Sequence, residues 1–420
     1  MNNINKFIGY RCSICGKDYT PSEIDYVCPI DNGNLDVKID IDQIKNSVSI
    51  DKITNSMQFS LWRYEELLPV RQPVGGYSPI HTVGFTPIYD PQLIAKKLNM
   101  ANIWIKDESC NPTASFKDRA SAIVVSRARE INADVVVTAS TGNAGAALAG
   151  MAAAVNQKAI ILAPRTAPPA KIAQLLIYNA QVFLIDGSYD DAFDLTIQAE
   201  REFGWYCRNT GYNPFTAEGK KTAAFEIWEW GLSNHKWSGN VNIQPVIFVS
   251  VGDGNIISGI HKGFKDLFDL GWLEQYPRIF GVQASGSAAI ANAFRSNSET
   301  ILPVSANTLA DSISVDFPRD GIRAVRAARE TNGEYILVSD NEILSAIATL
   351  GKAGIFAEPA GATSFAGLVK ALEMGTVDPN TPILVINTGS GLKDVRAAMQ
   401  AVPEAPIIEP TIKSLKQVLK

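Results

Sequence analysis

One feature constrains this chain most: from about residue 100 onward, short apolar runs of strand length alternate with stretches of helical spacing. The runs are NIWIK (102–106), DVVVTAS (134–140), KAIILAP (158–164), QVFLI (181–185), PVIFVSV (245–251), PRIFGVQ (277–283) and PILVINT (382–388). Between them, AGAALAGMAAAV (144–155), AFDLTIQAEREF (192–203) and NEILSAIATL (341–350) read as helices. Runs that are apolar on both faces need cover on both sides, and parallel neighbours need crossovers, so the pattern predicts an α/β protein with mainly parallel sheets. At 420 residues the chain is long enough for two such domains and an appendage. The first 40 or so residues lack the alternation and hold three of the five cysteines, and 40–80 reads as a connecting region with SLWRYEELLPV (60–70) as a short amphipathic helix.

Bulk properties exclude several roles. A net charge of −5 suggests neither a nucleic-acid nor a membrane partner, and no apolar run approaches the roughly 20 residues that span a bilayer. The start, MNNINKFIGYRC, lacks a signal-peptide core, and an odd number of cysteines without an export signal favours a reducing compartment; the expected address is the cytoplasm.

In an α/β protein, ligands bind where strand ends meet helix starts. Four stretches fall at such junctions: NPTASFKDRA (111–120), ASTGNAG (139–145), VGDGNIISG (251–259) and NTGSGLKD (387–394). Taken singly, each also reads as a packing turn. In the first, Ser115 can cap a helix, Asp118 suits its positive end, and Lys117 can be a surface residue. Taken together, they suggest loops converging on one ligand. VGDGN suits a phosphate, since small residues let backbone N–H groups approach ahead of a helix N-terminus. It is neither a Walker loop nor G-x-G-x-x-G. None of the histidines, His81, His235 and His261, lies in these loops, so Ser-His-Asp and metal-hydrolase chemistry are poorly supplied. A lysine, a phosphate cradle and small hydroxyl and amide groups are what a pyridoxal phosphate enzyme requires.

The same residues carry a resemblance. NPTASFKDRA is similar to the cofactor-lysine motif Asn-Pro-Thr-Gly-Ser-Phe-Lys-Asp-Arg of the threonine synthase branch of fold type II pyridoxal phosphate enzymes, with Ala114 in place of Gly. STGNAG resembles that branch's Ser-Thr-Gly-Asn loop, NTGSGLKD its Thr-Gly-His-Gly-Leu-Lys-Asp segment, and GFTPI (84–88) its entry strand; the likeness runs from about 60 to 400. It implies a large cofactor-binding α/β domain (39–112 and 212–420) and a small α/β domain (113–211), with 1–38 as a zinc-ribbon-like appendage outside it. It implies Lys117 as the catalytic Schiff-base lysine, Asn143 on the ring hydroxyl, and Gly252, Asp253, Gly254 and Asn255 around the cofactor phosphate, mostly through backbone N–H groups. Thr388 would meet the ring nitrogen, Ser140 and Thr141 the substrate carboxylate, and Arg208 and Asn209 would also bind substrate. A neutral hydroxyl at the ring nitrogen favours elimination and replacement over transamination. The implied reaction takes O-phospho-L-homoserine and water to L-threonine and phosphate, in a homodimer whose sites each lie within one subunit.

The chain departs from the pattern in two places. Relatives carry a phosphate-binding arginine where RNTGYNPFTAEGKKT has Thr216, and the histidine of Thr-Gly-His-Gly is Ser390. Arg208, Lys220 and Lys221 are the nearby cations, although a lysine in the following helix is more often a surface residue. Other readings therefore stay open: a sister enzyme acting on another phosphorylated amino acid, a threonine or serine dehydratase, a non-catalytic cofactor-binding regulator, or a binding module mediated by the ribbon. In the appendage, Cys12-x2-Cys15 and Cys28 have zinc-ribbon spacing, and Asp31 stands where a fourth thiolate is expected. The alternatives there are a three-cysteine, one-aspartate zinc site and a metal-free ribbon. Few basic residues flank it, which argues against nucleic acid. Cys110 and Cys207 read as reduced structural residues.

Overall fold

The computed structural model describes residues 6–234 and 244–419; His235 lies outside them. The apolar runs form two sheets. Six strands lie in the order Tyr335–Val338, Arg278–Ala284, Val246–Ser250, Ile383–Asn387, Ile103–Asp107, Ile88–Tyr89, parallel except for the last pair. Four parallel strands lie in the order Gln181–Ile185, Lys158–Pro164, Val135–Ala139, Tyr206–Cys207. Every residue of Val135–Ala139, Val246–Ser250 and Ile383–Asn387 is buried, because helices cover both faces of each sheet. A side chain such as Phe248, fully buried at the centre of the larger sheet, contributes roughly 1.5–3 kcal/mol. The loops after the strand ends Ala139 and Asn387 meet through Glu358, which contacts both Asn143 and Gly389.

The expected helices form as Asn143–Ala153, Tyr189–Phe203 and Asp340–Lys352. The segment 60–70 differs from expectation. It is a short 3₁₀ helix, Leu61–Leu67, rather than an α-helix, with Glu65 and Glu66 half-buried on its outer side. Leu61, Trp62, Tyr64 and Leu67 enter the core, and Arg63 follows them because the Glu229 carboxylate is there to receive it at 2.6 Å.

The appendage is a three-stranded antiparallel sheet, Phe7–Cys12 between Asp18–Tyr19 and Leu35–Ile39. It docks on the segment after Tyr206–Cys207. Tyr26 stacks on Tyr212 with ring centres 4.7 Å apart, and its hydroxyl accepts from the Cys207 N–H at 3.0 Å. Asn34 donates to the carbonyls of Gly211 and Arg319, and Asp36 pairs with Arg323 at 2.7 Å.

Candidate active site

The lysine segment is held by its neighbours rather than by its own helix cap. Ala114 turns the chain with φ +63°, the left-handed region. The next residues then run antiparallel to the fourth loop: Phe116 N–H donates to the Thr388 carbonyl at 2.9 Å, and Ser390 N–H to the Ala114 carbonyl at 3.1 Å. Ser115 therefore does not cap the helix, contrary to the expectation from its type; Phe116 precedes Lys117–Glu130, and the Ser115 hydroxyl is buried without a partner. The three residues that follow Phe116 diverge. Asp118 turns back to the Thr113 N–H (2.6 Å) and hydroxyl. Arg119, wholly buried, grips Glu108 at 2.7 Å and Glu226 at 2.5 Å, while Lys106 reaches Glu226 at 2.7 Å. Burial alone would raise the Glu226 carboxyl, but Arg119 and Lys106 hold it down to about 2. This network pins the helix start to the strand Ile103–Asp107 and the helix Thr222–Ser233. Phe116 enters the core, and Lys117 is left among Arg208, Glu358 and Asp253, whose charges act on it.

The other loops arrive around it. The Gly389 carbonyl receives the Glu358 N–H at 3.0 Å, and the Glu358 carboxylate receives the Asn143 side-chain amide at 2.7 Å. Asn209 Oδ1 takes the Ala139 N–H at 2.8 Å, just before Ser140 and Thr141. In the third loop Gly254 has φ +92°, and a Cβ there would meet the Asp320 carbonyl at 2.6 Å. The Asp253 carboxylate does not face the cleft as a ligand; it accepts from the Arg319 N–H at 2.6 Å. Asn255, at the start of the helix Asn255–Asp269, accepts from Thr216 (3.1 Å) and Lys220 and donates to Asp320 at 2.6 Å.

No described residue hydrogen-bonds or ion-pairs with the Lys117 amine. Burial lowers it to about 8, the Arg208 charge adds to the fall, and Glu358 and Asp253 oppose it. Glu358, which nothing in the sequence singled out, is raised by burial against the pull of Asn143 and Lys117. Thr388 is buried beside the lysine segment. A cleft opens over Thr141, Gly142, Asn143 and Glu358. Gly142 leaves this side clear, since a Cβ there would meet nothing within 4 Å.

The site thus contains buried polar atoms without protein partners (Ser115 Oγ, Arg208 Nη2, Asn209 Nδ2), a free amine and two helix N-termini. That donor set fits an anionic aromatic aldehyde phosphate. Ser390 lies after the paired segment and caps a short turn through Leu392 N–H.

Far from the cleft, Cys12, Cys15, Cys28 and Asp31 converge, with their ligand atoms all within 4.8 Å of one another. Cys15 and Cys28 sulfurs are 3.8 Å apart, and Cys12 lies 3.3 Å from an Asp31 oxygen. Tetrahedral zinc with Zn–S bonds of about 2.3 Å sets sulfurs about 3.8 Å apart. Cys110 is exposed, and its thiol is raised by burial and by Asp107; Cys207 is buried, and neither is in a disulfide.

Residues 80–389 match the family described as pyridoxal-phosphate dependent enzyme. A threonine synthase of Methanocaldococcus jannaschii is 38% identical over 98% of this chain and 99% of its own length. One of Methanosarcina acetivorans is 33% identical over 97% and 98%. Among solved structures, threonine deaminase isoform 2 of Solanum lycopersicum superposes with a TM-score of 0.64 at 23% identity, over 80% of this chain and 92% of that one. Maize serine racemase gives 0.62 at 22% identity, over 80% and 91%.

Proposed function

The chain belongs to the pyridoxal-phosphate dependent enzymes and, within them, to the threonine synthases, and from that premise we infer that it converts O-phospho-L-homoserine and water into L-threonine and phosphate. Pyridoxal 5'-phosphate is its cofactor; when bound, it attaches to an amine and draws electron density from adjacent carbons. We assign its attachment to Lys117, its ring hydroxyl to Asn143, its ring nitrogen to Thr388, and its phosphate to the backbone of Gly252, Asp253, Gly254 and Asn255. Ser140 and Thr141 take the substrate carboxylate, and Arg208 and Asn209 lie on the substrate side. The observation that carries this reading is the lone Lys117 amine, its pKa lowered to about 8, at the junction of all four loops.

An amine with that pKa holds or releases a proton near neutral pH. Lys117 would take the α-proton of the substrate and then move the β-proton. The γ carbon–oxygen bond breaks with its electron pair leaving on phosphate, and water supplies the hydroxyl at the β-carbon, so no oxidant or reductant is needed. Thr388 offers a hydroxyl rather than a carboxylate to the ring nitrogen, and the Asp107 carboxylate beside this strand end is engaged by Asn387 at 2.8 Å.

The test is release of phosphate and threonine from O-phospho-L-homoserine by the cofactor-loaded protein. Equal amounts of both support the reading, and no turnover would refute it. Thr216, where relatives carry arginine, favours a second reading as a sister enzyme on another phosphorylated amino acid or on threonine or serine. O-phosphoserine and threonine are therefore run alongside. Retention of Lys117, Asn143 and Thr388 together argues against a non-catalytic regulator.

We also propose that Cys12, Cys15, Cys28 and Asp31 bind one zinc ion, supported by the spacing of their ligand atoms. No described helix is long and apolar enough to cross a membrane, and a cytoplasmic homodimer is proposed. The three sheets support division into 1–38, 39–112 with 212–420, and 113–211, the last ribbon strand reaching Ile39.

A further inference from the structure

We propose that Lys220, with Arg208, forms the seat for the substrate's phosphate, replacing the arginine that relatives carry at the position of Thr216. The inference rests on the threonine synthase reading. Thr216 and Lys220 lie four residues apart on the helix Phe215–Lys220, and so on one face. Their side chains meet at one acceptor, Asn255 Oδ1, at the edge of the phosphate loop.

Three neighbouring cations were candidates, and burial and partners separate them. Both lysines are wholly buried, which the sequence argued against. Lys221 is neutralised, 2.6 Å from Glu218 and 2.7 Å from Asp266. Lys220 ion-pairs with no described carboxylate, and burial together with the charges of Lys117 and Arg208 drives it well below its ordinary value. Arg208 is likewise buried without a carboxylate. Its Nε reaches the Ser121 hydroxyl at 3.2 Å, its Nη1 the Thr210 hydroxyl at 2.7 Å, and its Nη2 nothing. Asn209 presents a second free donor, Nδ2.

Two carboxylates, Asp253 and Asp320, lie near enough for their charges to act on Lys220, and neither ion-pairs with it. Asp253 accepts from the Arg319 N–H, and Asp320 pairs with Arg323 at 2.6 Å. A buried charge without a contacting partner is costly, and Lys117, Arg208 and Lys220 feel the Asp253 charge without an ion pair to any described carboxylate. A phosphate dianion meets that need. The backbone amides and helix start at 252–255 already serve one phosphate, the cofactor's. The donors around Thr216, Asn209 and Arg208 serve a second, on the side of the substrate-carboxylate loop that Asn209 braces.

The experiment uses holoenzyme and inorganic phosphate as probe, measured by calorimetry and by competition against O-phospho-L-homoserine. Lys220→Gln should weaken phosphate binding about tenfold or more, the loss of a charge-assisted contact, and raise KM correspondingly. Cofactor retention on dialysis should stay within about twofold of the parent on the same reasoning. Thr216→Arg combined with Lys220→Gln should restore phosphate binding. If Lys220→Gln does not fold, Arg208→Gln is used, with the same loss expected. Unchanged phosphate binding in these variants overturns the proposal. So does loss of cofactor with normal phosphate binding after reloading, which would assign the seat to the cofactor's phosphate. If the parent does not turn over O-phospho-L-homoserine yet Lys220→Gln loses phosphate binding, the reaction reading falls and the phosphate seat stands.

Discussion

Replacing Ala114 by glycine should stabilise this protein. Ala114 sits at φ +63° in the loop that delivers Lys117, where the motif it resembles has glycine. A side chain in the left-handed region costs roughly 1–2 kcal/mol. Glycine returns about 0.4–1 kcal/mol of that by gaining freedom in the unfolded chain. The net expectation is a gain of about 0.5–1 kcal/mol. At about 2.1 cal/mol/K of unfolding entropy per residue, a chain of 420 residues would gain only about 1 °C in Tm. Urea unfolding of the holoenzyme at fixed, saturating cofactor is therefore the better assay, since bound ligand shifts apparent stability by itself. The Phe116–Thr388 and Ser390–Ala114 hydrogen bonds use backbone groups that glycine keeps, so the loop should hold its place. An Ala114→Gly midpoint at or below that of the parent would refute the strain argument. Ala114→Val should move the midpoint the other way.

Lys117 gives a pH prediction. With its amine lowered to about 8, the neutral form grows as pH rises and is nearly complete above about 9. The rate at which cofactor-free protein captures pyridoxal phosphate should climb about tenfold per pH unit below 8 and then level; a plateau reached only above pH 10 would show an unperturbed lysine. Thr388→Asp should hold the ring nitrogen protonated and raise the share of transamination products, and an unchanged product ratio counts against the role given to Thr388. Purified protein should carry one zinc per chain; Cys15→Ser should lose it, and equal metal content in both would remove the ribbon site.

The α/β architecture was legible because parallel strands buried on both faces leave continuous apolar runs, as in 134–140 and 245–251. Tyr335–Val338, four residues at a sheet edge, and Tyr206–Cys207, a two-residue strand, are too short to leave such a signal. The lysine loop was legible from its residue types, but Ser115 was misassigned as a cap. Its hydroxyl is freed by the pairing of 114–116 with 388–390, a contact between segments more than 270 positions apart. Glu358 escaped notice because a lone carboxylate before a proline has no pattern until Asn143 is seen against it. Lys220 and Lys221 are indistinguishable in a sequence; only the helix direction sends one to Asn255 and the other to Glu218 and Asp266.

The docking of the ribbon has a consequence for how the enzyme would fail. Tyr26 and Asn34 hold Cys207, Gly211 and Tyr212, which bracket Arg208 and Asn209, while Asp36 reaches Arg323 and through it the Asp320 that anchors Asn255. The small N-terminal sheet is therefore a splint for the substrate side of the cleft and for the Asn255 end of the phosphate loop. Damage to the splint would first appear as looser grip on substrate and, through Asn255, on the cofactor's phosphate, in a protein that is still folded.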